Sequence, residues 1–321
     1  MSRRFVETTL ACCVCGARAA TFWRRAGDHL LGGPRCFQAV RCARCGTARL
    51  DPRPSPEEME RHYRPTTYAR AADDGSGLAE RLDVTNRETA LRAAAAVAAS
   101  CPRRVLDVGC GDGRFLAAMA ALGWSGEGVE TDPAAADLAR ARSGCPIHVG
   151  DLSSVDLPER TYGLVALVHV IEHVPDPHEL LVRVRRLLAP GGIVHIVAPN
   201  AGSLEAALFR SCWYPLDLPR HFWGFTPHTL ARLLETSGFE SPTIRHFPFV
   251  NSLQSLRYAA RALGGKPIGE ERDVDQAAAE APGSVKSRLF RLVNAISVRA
   301  GKLLPGEVME LSAVVRPEVG R

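Results

Sequence analysis

The stretch VLDVGCGDGRFL, residues 105–116, has glycine at every second position directly after an apolar run. These glycines are Gly109, Gly111 and Gly113. Glycine permits tight turns and lets a ligand approach the backbone closely, because it has no side chain. The dinucleotide pattern G-x-G-x-x-G would need a glycine where this chain has Arg114, so the spacing argues against a nicotinamide cofactor. The acid just before the glycines, Asp107, suits a ligand that presents an ammonium group.

Two further acidic positions fit the other parts of a nucleoside ligand. Glu130, in GVETDP, stands where a carboxylate can accept hydrogen bonds from both hydroxyls of a ribose. Asp151 can accept a hydrogen bond from an adenine amino group, while the next residue, Leu152, covers the ring. Ammonium, ribose and adenine in this order describe S-adenosyl-L-methionine, which these residues therefore predict as the cofactor.

Six of the ten cysteines lie near the N-terminus, in a pattern typical of a metal site. CCVCG at 12–16 and CARCG at 42–46 each contain C-x-x-C-G, in which two thiolates can hold one tetrahedral metal above a tight glycine turn. We expect a structural zinc bound by Cys12, Cys15, Cys42 and Cys45. Cys13 is only two residues from Cys15, too close for this spacing. The alternative is a set of free thiols in a reducing cytosol.

These residues require a scaffold of alternating strands and helices. The sequence predicts strands at 104–108, 126–130, 146–149, 162–169 and 192–198, with helices at 113–122, 133–142 and 177–188. Strands separated by helix-length segments indicate right-handed crossovers and a parallel, doubly wound sheet. Ligands bind such sheets at the carboxyl ends of the strands, where the glycines and acids described above are expected to lie.

The flanking segments complete the predicted organisation. Residues 1–50 are expected to form a zinc-ribbon-like segment, 51–102 a linker with leading helices, 103–250 the cofactor-binding core, and 251–321 a helical insertion with the final strand. Short and long helices are predicted at 57–63 and 78–100, with a polar link at 69–77 between them. A helix capped by Thr226 follows the core strands, and apolar-patterned helices are predicted at 251–264 and 284–304.

Residues 103–240 resemble the class I S-adenosylmethionine-dependent methyltransferases. The resemblance is carried by VLDVGCGDG, GVETDP, Gly150-Asp151-Leu152, YGLVALVHVIEHVPDP and RLLAPGGIVHIVAPN, in that order. The CxxCG pair followed by LDPRPSPEEMERHY resembles a subset of these enzymes that carries a zinc ribbon. The resemblance implies a Rossmann-like sheet with its last two strands at 242–249 and 308–315. It places the cofactor contacts on Asp107, Gly109, Gly111, Gly113, Glu130, Asp151 and Leu152, with His169 beside the methyl group.

Two histidines are candidate general bases. If the acceptor is a hydroxyl or an acidic carbon, a base must remove a proton, and histidine can do so near neutral pH. His221 lies in DLPRHFWGFTP, an aromatic stretch suited to walling an acceptor pocket, and we prefer it slightly to His173. His173 follows Glu172 after the fourth strand, where the pair can instead brace the start of a helix. His195 alternates with apolar residues and is expected to lie in the core.

The preferred function is methyl transfer to a small-molecule or sugar-bearing metabolite. Residues 1–50 carry nine arginines against Glu7 and Asp28, or +7, whereas the whole chain carries +5. This excess leaves open an RNA methyltransferase whose ribbon holds the target, and a non-catalytic cofactor-binding protein is a third alternative. No secretory signal or 18-residue apolar run is evident, so a cytoplasmic location is expected. Membrane-surface contact is not expected, and a homodimer stays open.

Overall fold

The structure is a computed structural model that describes residues 5–6, 8–63, 78–247, 252–263 and 306–316. The chain divides into two compact units. Unit 1 contains Met1–Tyr63, Ala198–Leu230 and Arg245–Glu310, and unit 2 contains Arg64–Val197, Ala231–Ile244 and Leu311–Arg321. The predicted domain boundaries stay a prediction.

The described strands and helices follow one another in a mixed order. The strands are β1 (Phe5–Val6), β2 (Ala20–Gly27), β3 (Cys36–Cys42), β4 (Ala48–Leu50), β5 (Arg104–Val108), β6 (Ser125–Glu130), β7 (Ile147–Val149), β8 (Tyr162–Val168), β9 (Leu188–Pro199), β10 (Trp223–Gly224), β11 (Phe239–Phe247) and β12 (Val308–Val315). The helices are α1 (Pro56–Glu60), α2 (Leu78–Ala96), α3 (Arg114–Ala121), α4 (Pro133–Ser143), α5 (Pro177–Leu187), α6 (Leu204–Phe209), α7 (Pro227–Thr236) and α8 (Ser252–Leu263).

The larger sheet has seven strands in the order β11-β12-β9-β8-β5-β6-β7. Strand β5 pairs in parallel with β6 and β8, and β7 and β9 extend the parallel region on either side. In this register Asp107 lies opposite Gly128 and Ala166, so the carboxyl ends of the three strands are level. The α/β class and the doubly wound, Rossmann-like sheet are confirmed.

One hydrophobic cluster in unit 2 fixes helices onto this sheet. It joins buried side chains of α2, α3 and α4 to apolar strand residues: Ala90, Ala93, Phe115, Leu116, Met119, Ala136, Ala139, Val105, Leu164 and Ile193. Small alanines on α2 and α4 let these helices approach α3 closely, which explains the alanine-rich sequence of this region. Burial of such side chains contributes most of the stability of an α/β core.

Several helices begin where the sequence supplies a cap. The Asp132 carboxylate accepts from the backbone N–H of Ala134, and Asp176 accepts from the N–H groups of His178 and Glu179. Proline follows both acids, in the first helical position, where its missing N–H is harmless. Helix α7 begins at Pro227 after the predicted cap Thr226.

Unit 1 contains an antiparallel sheet in the order β1-β2-β3-β4-β10. Strands β2 to β4 follow the zinc-ribbon prediction for the first 50 residues. The fifth strand comes from far along the chain, since Trp223 pairs with Arg49 and Gly224 with Ala48. The ribbon sheet is therefore completed by residues that no local pattern assigns to it.

Strand β9 differs from its predicted bounds. It begins at Leu188, four residues before the predicted start at 192, and therefore also includes Pro190 and Gly191. A Cβ at Gly192 would lie 2.9 Å from the carbonyl oxygens of both Ala189 and Tyr162, so only glycine fits the irregular pairing there. Residues 284–304 and 69–77, predicted as a helix and a link, lie outside the described residues.

None of the helices in the described part of the chain is long and apolar enough to cross a bilayer.

Candidate functional site

In the glycine turn after β5, the backbone packs closely against neighbouring residues at Gly109 and at Gly113. Gly109 has φ +69°, and a Cβ there would lie 2.7 Å from Cγ2 of Val170. Gly113 has φ +80°, and its Cβ would lie 2.7 Å from Cα of Ala139 in α4. Gly113 thus lets the turn pack against a helix, whereas Gly109 keeps the turn against the segment after β8.

Asp107 is a buried carboxylate that lacks a full set of partners. The residue is 2% exposed, and its Oδ1 has no hydrogen-bond partner among the described residues. Burial raises the pKa of this carboxyl well above its usual value, and the charge of Glu130 raises it further. A buried carboxylate oxygen without a donor is costly unless a cation or donor reaches it. Asp107 is therefore suited to hold a ligand ammonium group.

Asp107→Asn is expected to weaken cofactor binding and to change the pH dependence of folding stability, and the two effects can be measured separately. The pKa of Asp107 is higher in the folded protein than in the unfolded chain. Asp107 therefore stabilises the folded protein at pH values below its pKa in the unfolded chain, and this contribution is lost as the pH rises through its pKa in the folded protein. The asparagine variant should lack this pH dependence and bind S-adenosylmethionine about tenfold to a hundredfold more weakly, since a charge-assisted hydrogen bond is lost. Thermal unfolding across pH and calorimetry with the cofactor measure the two effects. Unchanged affinity would remove Asp107 from the cofactor site.

Glu130 holds the glycine turn to the end of β6. Its Oε2 accepts from the backbone N–H of Gly111 at 2.8 Å, and its Oε1 accepts from the N–H of Asp132 at 2.9 Å. A carboxylate has about four acceptor sites, so Glu130 can also receive ligand hydroxyls while it holds this turn. The structure thus gives Glu130 a positioning role besides the predicted ribose contact.

Asp151 and Leu152 form the turn after β7. Asp151 is exposed, and its Oδ1 accepts from the N–H groups of Ser153 and Ser154 at 2.7 Å and 3.0 Å. The hydrogen bond from the Ser153 hydroxyl is the main reason that the pKa of Asp151 is lowered. Leu152, the next residue, is buried. One carboxylate oxygen of Asp151 therefore shapes its own loop.

His169 directly follows β8 and has an uncommon backbone conformation. Its φ is +57°, in the left-handed region that few residues other than glycine adopt, although His is enriched there together with Asn and Asp. Its Nδ1 lies 3.3 Å from Oε1 of Glu172, which is buried. Such conformations cost about 1–2 kcal/mol and cluster at functional sites, so the backbone here supports the prediction that His169 borders a ligand.

Arg114 occupies the position that would be glycine in a dinucleotide-binding turn. Its Nε donates to Oδ2 of Asp112 at 2.9 Å, and it also pairs with Asp83 and donates to the Ala79 carbonyl, both on α2. The side chain therefore fastens helix α2 to the glycine turn. The sequence did not indicate this connection.

The other three histidines considered in the sequence, His173, His195 and His221, have different environments. His195 is fully buried, its Nδ1 lies 2.9 Å from the Ser312 hydroxyl, and burial lowers its pKa to about 3, as expected of a core residue. His173 lies in unit 2, in the turn after β8, and its N–H donates to the Val170 carbonyl. His221 belongs to unit 1 and is partly buried.

His221 borders a small apolar pocket within unit 1. The aromatic residues that share this lining are Trp23, Trp213, Phe222 and Trp223. The predicted aromatic surroundings of His221 are thus present. Trp23 and Trp213 lie outside DLPRHFWGFTP, the segment from which aromatic surroundings were predicted. They belong to β2 and to the turn after α6, which also line the pocket.

The four predicted zinc ligands come together in unit 1. The Sγ atoms of Cys12 and Cys45 are 3.5 Å apart, those of Cys15 and Cys42 are 3.6 Å apart, and all four lie within 4.8 Å of one another. Sulfurs around a tetrahedral zinc at about 2.3 Å are separated by about 3.8 Å. Both knuckle glycines have positive φ, as the predicted tight turns require. The spacing and the thiolate chemistry fit this metal.

Comparison with known proteins identifies the class of the larger sheet. The methyltransferase-domain family matches residues 66–242, more than half of the chain. The fold resembles a chain from the complex between the Haloferax volcanii Trm112 methyltransferase activator and a methyltransferase. That likeness has a TM-score of 0.51 at 17% identity and covers 79% of this chain and 100% of that one. The protein therefore has the fold of S-adenosylmethionine-dependent methyltransferases.

Curated relatives include two bacterial ubiquinone biosynthesis O-methyltransferases. The protein from Cereibacter sphaeroides is 32% identical over 43% of this chain and 60% of its own length. That from Cupriavidus pinatubonensis is 30% identical over 51% of this chain and 71% of its own length. The chain thus spans about 60% of the first relative and 71% of the second. It belongs to the methyltransferase-domain family.

Proposed function

We propose that this protein transfers the methyl group of S-adenosylmethionine to a hydroxyl of a small molecule. The observation that carries the proposal is the buried Oδ1 of Asp107, which has no hydrogen-bond partner in the described part of the chain and lies beside the glycine turn that Glu130 holds in place. Family membership and the O-methyltransferase names of two relatives support the reaction type. The further cofactor contacts are the glycines, Asp151, Leu152 and His169, as the sequence predicts.

The cofactor supplies a methyl group on a sulfonium sulfur, which becomes a neutral thioether when the methyl is displaced. The protein must align the acceptor oxygen with this methyl and exclude water, and such alignment provides much of the acceleration. Asp107 binds and orients the amino-acid end, and Glu130 orients the sugar. A base then takes the hydroxyl proton as the oxygen attacks, so that a neutral ether is formed.

We further propose that His221, with His173 as the alternative, is this base. The Nδ1 of His221 lies 2.8 Å from the Pro215 carbonyl oxygen, which can only accept a hydrogen bond. Nδ1 therefore carries the proton, and Nε2 is the basic nitrogen. The aromatic side chains around His221 support the assignment, because aromatic side chains are common around small organic ligands.

His221→Asn is expected to slow methyl transfer about a hundredfold, because general-base catalysis contributes roughly 10²–10⁴ in rate. The assay incubates purified protein with methyl-labelled S-adenosylmethionine and a cell extract, then separates small molecules, RNA and protein. Affinity for the cofactor, measured by calorimetry, should stay within twofold of wild type, because no cofactor contact is assigned to His221.

His173→Asn is the matched variant for this assay. If it carries the loss and His221→Asn does not, the base is His173. Label in the RNA fraction would instead favour an RNA methyltransferase that uses the basic ribbon. If wild-type protein binds the cofactor but labels no fraction, the catalytic proposal is wrong and the chain acts as a cofactor-binding protein.

We also propose that Cys12, Cys15, Cys42 and Cys45 bind a structural zinc. The measured sulfur separations and the softness of thiolate ligands support this metal. With four thiolate ligands the coordination is complete, so the ion would stabilise the ribbon and take no part in the chemistry.

A further inference from the structure

A buried arginine joins two carboxylates inside unit 1. The guanidinium of Arg220 donates twice to Asp28, from Nη1 to Oδ2 at 3.0 Å and from Nη2 to Oδ1 at 2.9 Å. Its Nε also donates to Oδ2 of Asp217 at 3.0 Å. Burial by itself would lower the pKa of Arg220, but the charges of Asp217 and Asp28 outweigh burial and raise it. The arginine is therefore charged and held on two edges.

Asp217 connects this arginine to His221. The Oδ2 of Asp217 lies 3.8 Å from Nε2 of His221, the nitrogen left basic by the hydrogen bond between Nδ1 and Pro215. The N–H of His221 also donates to the Asp217 carbonyl at 3.0 Å, which closes the turn between the two residues. One carboxylate thus faces the basic nitrogen on one side and a fixed guanidinium on the other.

The backbone at Asp217 adopts the left-handed conformation, which aspartate tolerates. Its φ is +31° and its ψ is +52°, in the left-handed region. Its side chain is 20% exposed, whereas those of Asp28 and Arg220 are each 1% exposed. Asp28 alone would neutralise the buried positive charge of Arg220. The second carboxylate, Asp217, is therefore not needed for charge balance, and it lies beside His221.

We propose that Asp217 and Arg220 are positioning residues for the reaction, acting through His221. Asp217 stabilises the imidazolium that forms when Nε2 takes the hydroxyl proton, and Arg220 holds the Asp217 carboxylate in place through its Nε hydrogen bonds. The proton moves from the acceptor hydroxyl to Nε2, and Asp217 remains a carboxylate throughout. This inference rests on the proposed function of His221 as the base. A planar guanidinium suits the role because its donors bind two carboxylates at fixed angles.

Asp217→Asn tests the proposal with little risk to folding, because asparagine tolerates the left-handed backbone as aspartate does. In the label-transfer assay with cell extract, we expect the rate at saturating S-adenosylmethionine to fall about tenfold to a hundredfold, as a share of the effect of a general base. The KM for the cofactor should stay within twofold of wild type. If Asp217 only stabilised the fold, its substitution would not lower the rate while leaving the KM for the cofactor unchanged.

Asp137→Asn is the matched control. Asp137 and Arg140 form another aspartate–arginine pair three residues apart, but on the exposed surface of α4 in unit 2. Removing this carboxylate should leave both the rate and the KM unchanged. The comparison separates loss of the charge beside His221 from the general effect of breaking such a pair.

Two further measurements guard against misfolding. Nitrogen-15 spectra of labelled histidine, assigned with His221→Asn, should show the Nδ1–H form of His221 in both wild type and Asp217→Asn, because Pro215 holds it. Arg220→Lys retains a cation but cannot bind both carboxylates, so we expect it to lower the rate and the melting temperature together.

The outcomes distinguish this inference from the proposed function. A slowed Asp217→Asn enzyme with an unchanged melting temperature and cofactor KM supports the positioning role. An active wild type with an equally active Asp217→Asn variant overturns that role alone, as does a loss of rate that merely follows a loss of stability. A wild type that transfers no label overturns both proposals.

Discussion

Gly109→Ala is expected to weaken S-adenosylmethionine binding by about a thousandfold. The new Cβ would lie 2.7 Å from Cγ2 of Val170, and φ +69° is unfavourable for alanine. The turn can relieve the overlap with Val170 and the unfavourable φ by shifting away from Val170. Cofactor binding must then restore the original position of the turn, which costs binding free energy. Relieving the overlap with Val170 costs about 1–3 kcal/mol, and restoring the left-handed backbone adds about 1–2 kcal/mol, which together correspond to about a thousandfold in affinity. Calorimetry with S-adenosylmethionine and S-adenosylhomocysteine measures the loss.

Gly123→Ala is the control for the backbone conformation alone. Gly123 has φ +77° and lies in the turn after α3, and among the described residues other than its two chain neighbours a Cβ there would meet no heavy atom within 4 Å. This variant should lose about 1 kcal/mol of stability and bind the cofactor normally. If both variants bind alike, the close approach at Gly109 does not shape the cofactor site, and our assignment of that turn is wrong.

The sequence was most informative where local pattern and chemistry coincide. The alternation of strands and helices was enough to predict the parallel sheet, because connections between parallel strands are short and right-handed. The knuckle spacing indicated four cysteines that the structure brings together, since a C-x-x-C-G turn constrains its own sulfurs. Asp107 could be selected because an acid that ends a buried strand beside glycines has few structural uses.

The sequence was least informative about pairing between distant segments. Nothing local marks Trp223 and Gly224 as the fifth strand of the ribbon, because a two-residue strand has no readable period. The partnership of Asp28 with Arg220 was equally hidden, since it joins residues 192 positions apart. The turn glycines also look alike in sequence, although Gly113 faces the backbone of Ala139 and Gly109 faces a valine side chain.

The signal that could have found the positioning residues is the segment DLPRH. It places an acid and an arginine just before the candidate base His221, and the acid is Asp217. An arginine in an otherwise apolar and aromatic run must bury its charge against carboxylates. The second carboxylate comes from the ribbon, so the completed cluster could be recognised only from the structure.

Cys42→Ser is expected to abolish zinc binding and destabilise unit 1. Cys42 is 3% exposed and ends β3, so its sulfur is fixed by the sheet rather than by a mobile loop. Structural zinc sites contribute about 10–16 kcal/mol of apparent binding free energy in small domains, and much of this stabilises the fold. We expect zinc content to fall from one ion per chain to nearly none, and the melting temperature to fall by about 10 °C or more.

Cys36→Ser is the matched control, because Cys36 lies at the other end of the same strand and is exposed. It should keep both its zinc and its melting temperature. Metal content by atomic absorption and unfolding with and without a chelator give the comparison. A Cys42→Ser protein that melts like wild type would show that hydrogen bonding among the thiols and the pairing of β4 with β10 suffice to hold the ribbon. The four-cysteine cluster would then be a set of reduced thiols rather than a metal site.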